Sequence, residues 1–428
     1  LKNDNSNIAI NKIKEVDMVF KSILVGLAAG SVSIVYRIVL SYAEKSSSYI
    51  YSFFSNNLIF LPIMFLFLII MGYFVGYLVE SDDMVSGSGV PQLKQILKKY
   101  FYFRMPWFFT LIKKFIGGVI AIFAGLSLGR GGPSIHLGAC VAEGLGNKIG
   151  KNSMQRKILV ASGASAGLAA TFNVPIAAVI FILEEIFEDF SLAILLSTII
   201  GAVIADFISK KIFGLTPIFD FPINYTIPFD NRYIMLIVLG LVVGILGVFF
   251  NLTLVKMQTF YKQLNFLNKR TKIILPFIIT GIIGLMYPIV IGSGNRIIEY
   301  LNIDSAINFL LIVLLVKFIL SIICLGSETP GGIFFPIFVI GALIGCIFAY
   351  MMIKYGLYSE LFFYNFVILA MAGYLTSVFR TPITGIVLIM ELTHSFEHWL
   401  SVIIVCIVAH IFSQYIYDSS LYKKIISD

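Results

Sequence analysis

Gly129-Arg130-Gly131-Gly132-Pro133 interrupts an apolar chain and opens a fresh apolar stretch. The same grammar appears at Gly87-Ser88-Gly89-Val90-Pro91 and at Gly331-Gly332-Ile333-Phe334-Phe335-Pro336. Glycines ahead of a helix and a proline in its first turn leave backbone N–H groups pointing out of the helix N-terminus, an arrangement suited to an anion. At membrane depth, broken helices are tolerated only where they line a buried or watery path. Three such starts in one chain predict a route for anions.

The surrounding composition supports a membrane setting. Hydrophobic residues make up 59% of the 428, charged residues only 13%, and mean hydropathy is +0.95. A crossing helix needs about 20 apolar residues. Segments near 18–40, 57–79, 107–126, 190–213, 233–256, 273–292, 307–325, 332–353, 360–378 and 399–417 approach that length, whereas 132–147, 157–170, 175–187 and 381–393 are shorter. The fold class expected is all-α: a polytopic membrane protein of many tilted full and partial helices. Such a mixture is typical of transporters and channels rather than receptors.

The formal charge of +8 is no nucleic-acid signature, because the basic residues fall in loops: Lys94, Lys98, Lys99 and Arg104; Lys148, Lys151, Arg156 and Lys157; Lys262, Lys269, Arg270 and Lys272. Residues 214–230 hold no Lys or Arg but include Asp220 and Asp230. The positive-inside rule then puts the three basic loops, both termini and the Lys423-Lys424 end in the cytoplasm, and 214–230 outside. Residues 1–17 read as a polar cytoplasmic segment, with a short surface helix, of a chain trimmed at its start; no soluble domain is expected after residue 428. The apolar stretch that follows is too long for a signal-peptide core. Cys140, Cys324, Cys346 and Cys406 stand singly and read as buried small apolar residues.

The pattern divides into a first half, 18–213, an external linker, 214–231, a second half, 232–417, and a short end, 418–428. Asn173-Val174-Pro175 running to Glu184-Glu185 in the first half answers Arg380-Thr381-Pro382 running to Glu391 in the second. This pattern predicts two halves of inverted topology with the binding site between them.

Gly-Ser-Gly-Val-Pro, Gly-Arg-x-Gly-Pro and Gly-Gly-Ile-Phe-x-Pro, in that order, resemble the CLC family of chloride channels and chloride/proton antiporters. Lys114-Phe115-Ile116-Gly117-Gly118, the stretch from Gly163 to Pro175, and Thr381-Pro382-Ile383-Thr384-Gly385 add to the likeness, which spans nearly the whole chain and fits the compact prokaryotic type without cystathionine-synthase-like domains. The resemblance implies a homodimer in a plasma membrane with one pathway per subunit. Helices 175–187, 190–206, 381–393 and 399–416 would form the dimer surface. In each subunit Ser88 and Tyr422 would donate hydroxyls to a central chloride, and the N–H groups of Ile333 and Phe334 would complete the site, with Gly131 and Gly132 beside the path. Gly131 takes the position of the gating glutamate, and Glu185 matches the internal glutamate that relays protons.

A protein that passes chloride must replace part of its hydration shell without trapping it. Partial charges from helix ends, each contributing about 0.3–2 kcal/mol, suit this better than a contacting Lys or Arg. Ser88 taken alone reads as an ordinary N-cap, which is what serine before a helix usually is, and Tyr422 reads alternatively as an interfacial tyrosine. Arg130 and Lys114 read either as a source of attracting potential or as structural partners of carbonyls and carboxylates. Glu184, Glu188 and Asp189 read as a solvated helix end; for Glu185 that reading and the proton role stand side by side. His394 and His398 suit a wet helix end better than a metal site, and His136 and His410 read as hydrogen-bonded core residues. No metal or cofactor is expected.

An intramembrane hydrolase would need a base beside Ser165, and none can be placed, so Gly163-Ala164-Ser165-Ala166-Gly167 reads as small-residue packing. A cation carrier would want carboxylates and carbonyls where this chain offers helix N-termini. Serine at position 88 implies chloride, with bromide also passing; in the family, proline there goes with nitrate and methionine with fluoride. Glycine at 131 removes the titratable plug, so the chain as written is expected to conduct chloride passively. The alternative is a chloride/proton antiporter whose gating glutamate has been replaced.

Overall fold

The computed structural model describes residues 2–99, 105–188, 190–222, 227, 233–303, 305–417 and 421–427, and for residues 2–15, 98, 99, 423, 426 and 427 the backbone alone. Arg104, Asp189, Asp230 and 418–420 lie outside the described residues. The chain is built of helices. The first half contains α1 (Lys2–Asn56), α2 (Leu61–Ser81), α3 (Val90–Lys99), α4 (Trp107–Phe123), α5 (Gly131–Ile149), α6 (Ser153–Phe172), α7 (Pro175–Phe181) and α8 (Leu192–Phe213). The second contains α9 (Ile234–Gln263), α10 (Lys269–Lys272), α11 (Ile274–Met286), α12 (Asn295–Tyr300), α13 (Ile307–Gly326), α14 (Phe334–Lys354), α15 (Phe363–Phe379), α16 (Pro382–Thr393) and α17 (Trp399–Ile416), followed by α18 (Leu421–Ser427).

Among the described residues, eight helices are long and apolar enough to cross a membrane, as in a multi-pass membrane protein. Two segments expected to span are shorter: 107–126 contains a 17-residue helix and 273–292 one of 13 residues. Their hydropathy runs on into loops that turn at Gly125 (φ 85°) and Gly292 (φ 69°), a conformation natural to glycine. The polar start is continuous with α1 rather than a separate helix.

Contacts repeat between the halves. α1 packs on α6 and α8 as α9 packs on α15 and α17; α5 lies on α4 and α6 as α14 lies on α13 and α15. Local signals repeat too. α6 ends on left-handed Asn173 and α15 on left-handed Arg380, each two residues before the proline that begins α7 or α16. The interior is the part most covered by protein: α15 is largely buried by other helices, whereas α2 is largely exposed at the protein's surface. There α5 and α6 approach so closely that a Cβ on Gly138 would lie 2.1 Å from the Gly163 carbonyl oxygen, so the 163–167 stretch is a packing surface.

The halves are also joined reciprocally. Glu391, at the end of α16, accepts the N–H groups of Ile176 (3.1 Å) and Ala177 (2.8 Å) at the start of α7. Glu184, in the turn after α7, accepts those of Ile383 (3.2 Å) and Thr384 (2.8 Å) at the start of α16, and the Thr384 hydroxyl at 2.7 Å. Each half therefore supplies the anion that fills the other's helix N-terminus. Glu184 is a structural cap rather than a solvated residue.

Candidate anion pathway

The starts of α5 and α14 meet head to head. Gly129 and Gly332 exchange both backbone hydrogen bonds, each 2.6 Å, in an isolated antiparallel bridge. A Cβ on Gly332 would sit 2.8 Å from the Gly129 carbonyl oxygen and 2.9 Å from the Gly132 nitrogen, so only glycine lets the two helix ends come this close. The start of α3 joins them: Gly331 donates to the Gly87 carbonyl (3.0 Å), Gly87 donates to that of Glu328 (2.8 Å), and Gly132 lies against Ser88 with room for no side chain. The three motifs read from the sequence thus come to one place.

Lys114 holds the third arm. Its ammonium, fully buried, donates to the carbonyls of Val85 (2.9 Å), Ser86 (3.1 Å) and Gly87 (2.6 Å), fixing the loop that presents Ser88. Lys317 does the same in the other half, donating to Val290 (2.9 Å) and Gly292 (2.8 Å). Of the two readings open for Lys114, the carbonyl partner is the one observed. Arg130 lies with its guanidinium carbon 5.5 Å from the Phe172 ring centre and 5.2 Å from that of Phe335, stacked on aromatic faces.

Ser88, Ile333 and Tyr422 line one cavity of about 280 Å³, which also touches Gln92, Gln258, Glu328 and Thr329. The Ser88 hydroxyl oxygen lies 3.3 Å from the Val90 nitrogen, so the N-cap role is present, though long. Tyr422 is brought in by α18, which packs on α3; its ring stacks on Phe379 at 5.3 Å, and its buried hydroxyl faces that of Ser88. The N–H groups of Ile333 and Phe334 stand at the head of α14, where a helix has no internal acceptor for them. Two hydroxyl-bearing side chains and Ile333, at the head of α14, therefore line one small space, with Phe334 next in the chain.

Above this space runs a ladder of rings. Phe334 contacts Phe379 (4.8 Å between centres), Phe181 (5.1 Å) and Phe172 (6.4 Å). Phe219, from the 214–231 segment, packs on Phe335 and Phe338 and donates its backbone N–H to Leu392. Gly131 lies under this ladder: a Cβ there would be 2.8 Å from Phe172 Cε2 and 3.0 Å from Phe334 Cδ2. The volume a side chain at 131 would begin to fill is occupied by aromatic carbon.

Glu185 is buried and ion-paired with Lys94 at 2.7 Å; Lys94, itself buried on α3, also reaches Glu188 at 3.0 Å. This corrects two expectations. Lys94 belongs to the interior rather than to an exposed basic loop, because the two carboxylates compensate its charge. Glu188 is tied to that lysine rather than simply solvated. The four cysteines are buried and unbridged, and no group of metal ligands occurs among the described residues. His136 is buried against Gly89, whose left-handed backbone (φ 83°) lets the ring approach.

Residues 70–414 match the family model described as voltage gated chloride channel. Among curated relatives, the H(+)/Cl(-) exchange transporter ClcA of Klebsiella pneumoniae (strain 342) is 30% identical over 366 residues, covering 84% of this chain and 76% of that protein. ClcA of Vibrio cholerae serotype O1 (strain M66-2) is 29% identical over 428 residues, covering 96% and 89%. Among solved structures, a slow cyanobacterial Cl-/H+ antiporter superposes with a TM-score of 0.88 at 26% identity, covering 96% of this chain and 97% of that one. The chain belongs to the voltage-gated chloride channel family of membrane transport proteins.

Proposed function

We propose that this family member is a passive chloride pathway, uncoupled from protons, with chloride as substrate and no cofactor. The observation that carries the reading is Gly131. At the meeting of α5 and α14, position 131 offers no titratable side chain, and Phe172 and Phe334 close over the backbone there. Ser88, Tyr422 and the amides of Ile333 and Phe334 surround the ion and replace part of its hydration by partial charges, so that it binds without being trapped. Gly132 permits their approach, Lys114 holds the Ser88 loop, and Arg130 contributes positive potential above the site. Bromide, similar in size and charge, follows the same path.

A second reading is supported by Glu185. It is still buried and ion-paired with Lys94 of α3, the helix that follows Ser88, so an antiporter scaffold that lacks only its gating glutamate also fits. For assembly, Ile176, Leu192, Ile199, Ile383, Trp399 and Ile407 leave an exposed apolar face on α7, α8, α16 and α17. A homodimer about an axis normal to a plasma membrane covers it, with cytoplasmic termini and one pathway per subunit. Chloride efflux from reconstituted liposomes, with valinomycin carrying the balancing potassium, tests the reading. Efflux that follows protein content is expected; its absence from correctly folded protein contradicts chloride transport.

A further inference from the structure

Glu328 stands between two chambers, and we propose that its carboxylate is a charge barrier that sets how readily anions enter the pathway from the side of Lys262 and Lys272. This rests on the chloride reading above. The residue, in the loop between α13 and α14, lines the cavity that reaches Ser88 and Tyr422, and also a neighbouring cavity walled by Gln258, Tyr261, Lys262, Lys269 and Lys272. An anion drawn to the lysines of the outer chamber passes Glu328 before it meets the hydroxyls of the inner one. Lys269 borders both chambers and is engaged with Asp83 at 2.8 Å.

The backbone marks the same residue. Glu328 has φ 62°, a left-handed conformation that glycine takes freely and other residues seldom do. Its carbonyl accepts the Gly87 N–H at 2.8 Å, and Gly331 donates to the Gly87 carbonyl at 3.0 Å, so this turn ties the start of α3 to the start of α14. Glycine would make those bonds equally well. They explain the turn and leave the acid unexplained. Strained positions that keep a costly side chain are a reason to look for function in that side chain. Because the turn is pinned at both ends, the carboxylate cannot leave the boundary by backbone movement without parting the two helix starts. Among the described residues no ion pair neutralises it.

A unit negative charge about 6 Å from a passing anion, in water-filled space, lowers the anion's local concentration about threefold. Removing it raises entry by that factor, and reversing it raises entry further. The lysines then act as the attracting antechamber and Glu328 as the brake behind them.

The test is chloride efflux from liposomes at low ionic strength under a valinomycin clamp, comparing the unmodified protein with Glu328→Gln, Glu328→Gly and Glu328→Lys. Glu328→Gly fits the left-handed backbone and separates charge from strain. Gln and Gly variants are each expected to pass chloride about threefold faster, the Lys variant faster still, and the differences to shrink near 0.5 M salt, where the Debye length falls to about 4 Å. Unchanged or slower efflux in the Gln and Gly variants overturns the proposal, as does a rise in one neutral variant without the other, or a gain that survives high salt. No efflux from the unmodified protein instead sinks the chloride reading itself.

Discussion

α7 and α16 begin much as α5 and α14 do, with proline in the first turn, yet the two pairs of helix starts end differently. Those of α7 and α16 are filled by carboxylates of the opposite half, Glu391 and Glu184. Those of α5 and α14 receive no such acid among the described residues; glycines bring them together, and Ser88 and Tyr422 bring hydroxyls beside them. On the chloride reading proposed above, the same partial positive charge serves structure where a side-chain anion is supplied and transport where that place is left to a mobile one. The comparison also shows why the molecule needs both. The closed pair locks the halves to each other through side chains, and the open pair joins them through the Gly129–Gly332 backbone bridge.

The largest expected effect breaks the closed pair. Glu391→Ala orphans one buried and one partly buried N–H group and removes their charge-assisted bonds, lowering stability by about 3 kcal/mol. Thermal unfolding in detergent reads this, and Glu184→Ala should match it while chloride selectivity in both variants is unchanged. A normal melting temperature with altered selectivity would erase the distinction between the pairs. In the open pair the effects reverse. Ser88→Ala and Tyr422→Phe each weaken chloride binding about tenfold, equivalent to about 1.4 kcal/mol for a lost hydroxyl donor, with little change in melting. Calorimetric titration with chloride measures it; Tyr422→Phe keeps the stack on Phe379 and so isolates the hydroxyl. The smallest effect belongs to Gly131→Ala. Its methyl must push aside the edges of Phe172 and Phe334, at about 1 kcal/mol. Slower efflux with intact chloride binding is expected, and a faster one would mean that the rings do not line the path.

The open pair was legible in the sequence because its signals are local: glycine, proline and serine at fixed offsets report a helix start wherever the chain goes. So were the helical class and the repeat, since Asn173-Val174-Pro175 and Arg380-Thr381-Pro382 resemble each other on inspection. The closed pair was not. Glu391 and Ile176 are 215 positions apart, and an acid near a helix end looks the same whether it meets water or a distant amide. Lys94 was misplaced for a related reason. Its neighbours Lys98, Lys99 and Arg104 suggest a basic loop, and only the fold brings Glu185 and Glu188 to it. The ring ladder over Gly131 was equally hidden, because Phe172, Phe219 and Phe334 come from segments that share no pattern.

The central claim is that anion movement here is independent of protons, and one measurement addresses it directly. Liposomes holding the purified protein are given a chloride gradient at equal internal and external pH, with valinomycin carrying the balancing potassium, and external pH is followed as chloride moves. The account predicts chloride flux with no proton movement beyond that of protein-free liposomes. Uphill proton movement driven by the chloride gradient, and abolished by a chloride ionophore, would contradict it.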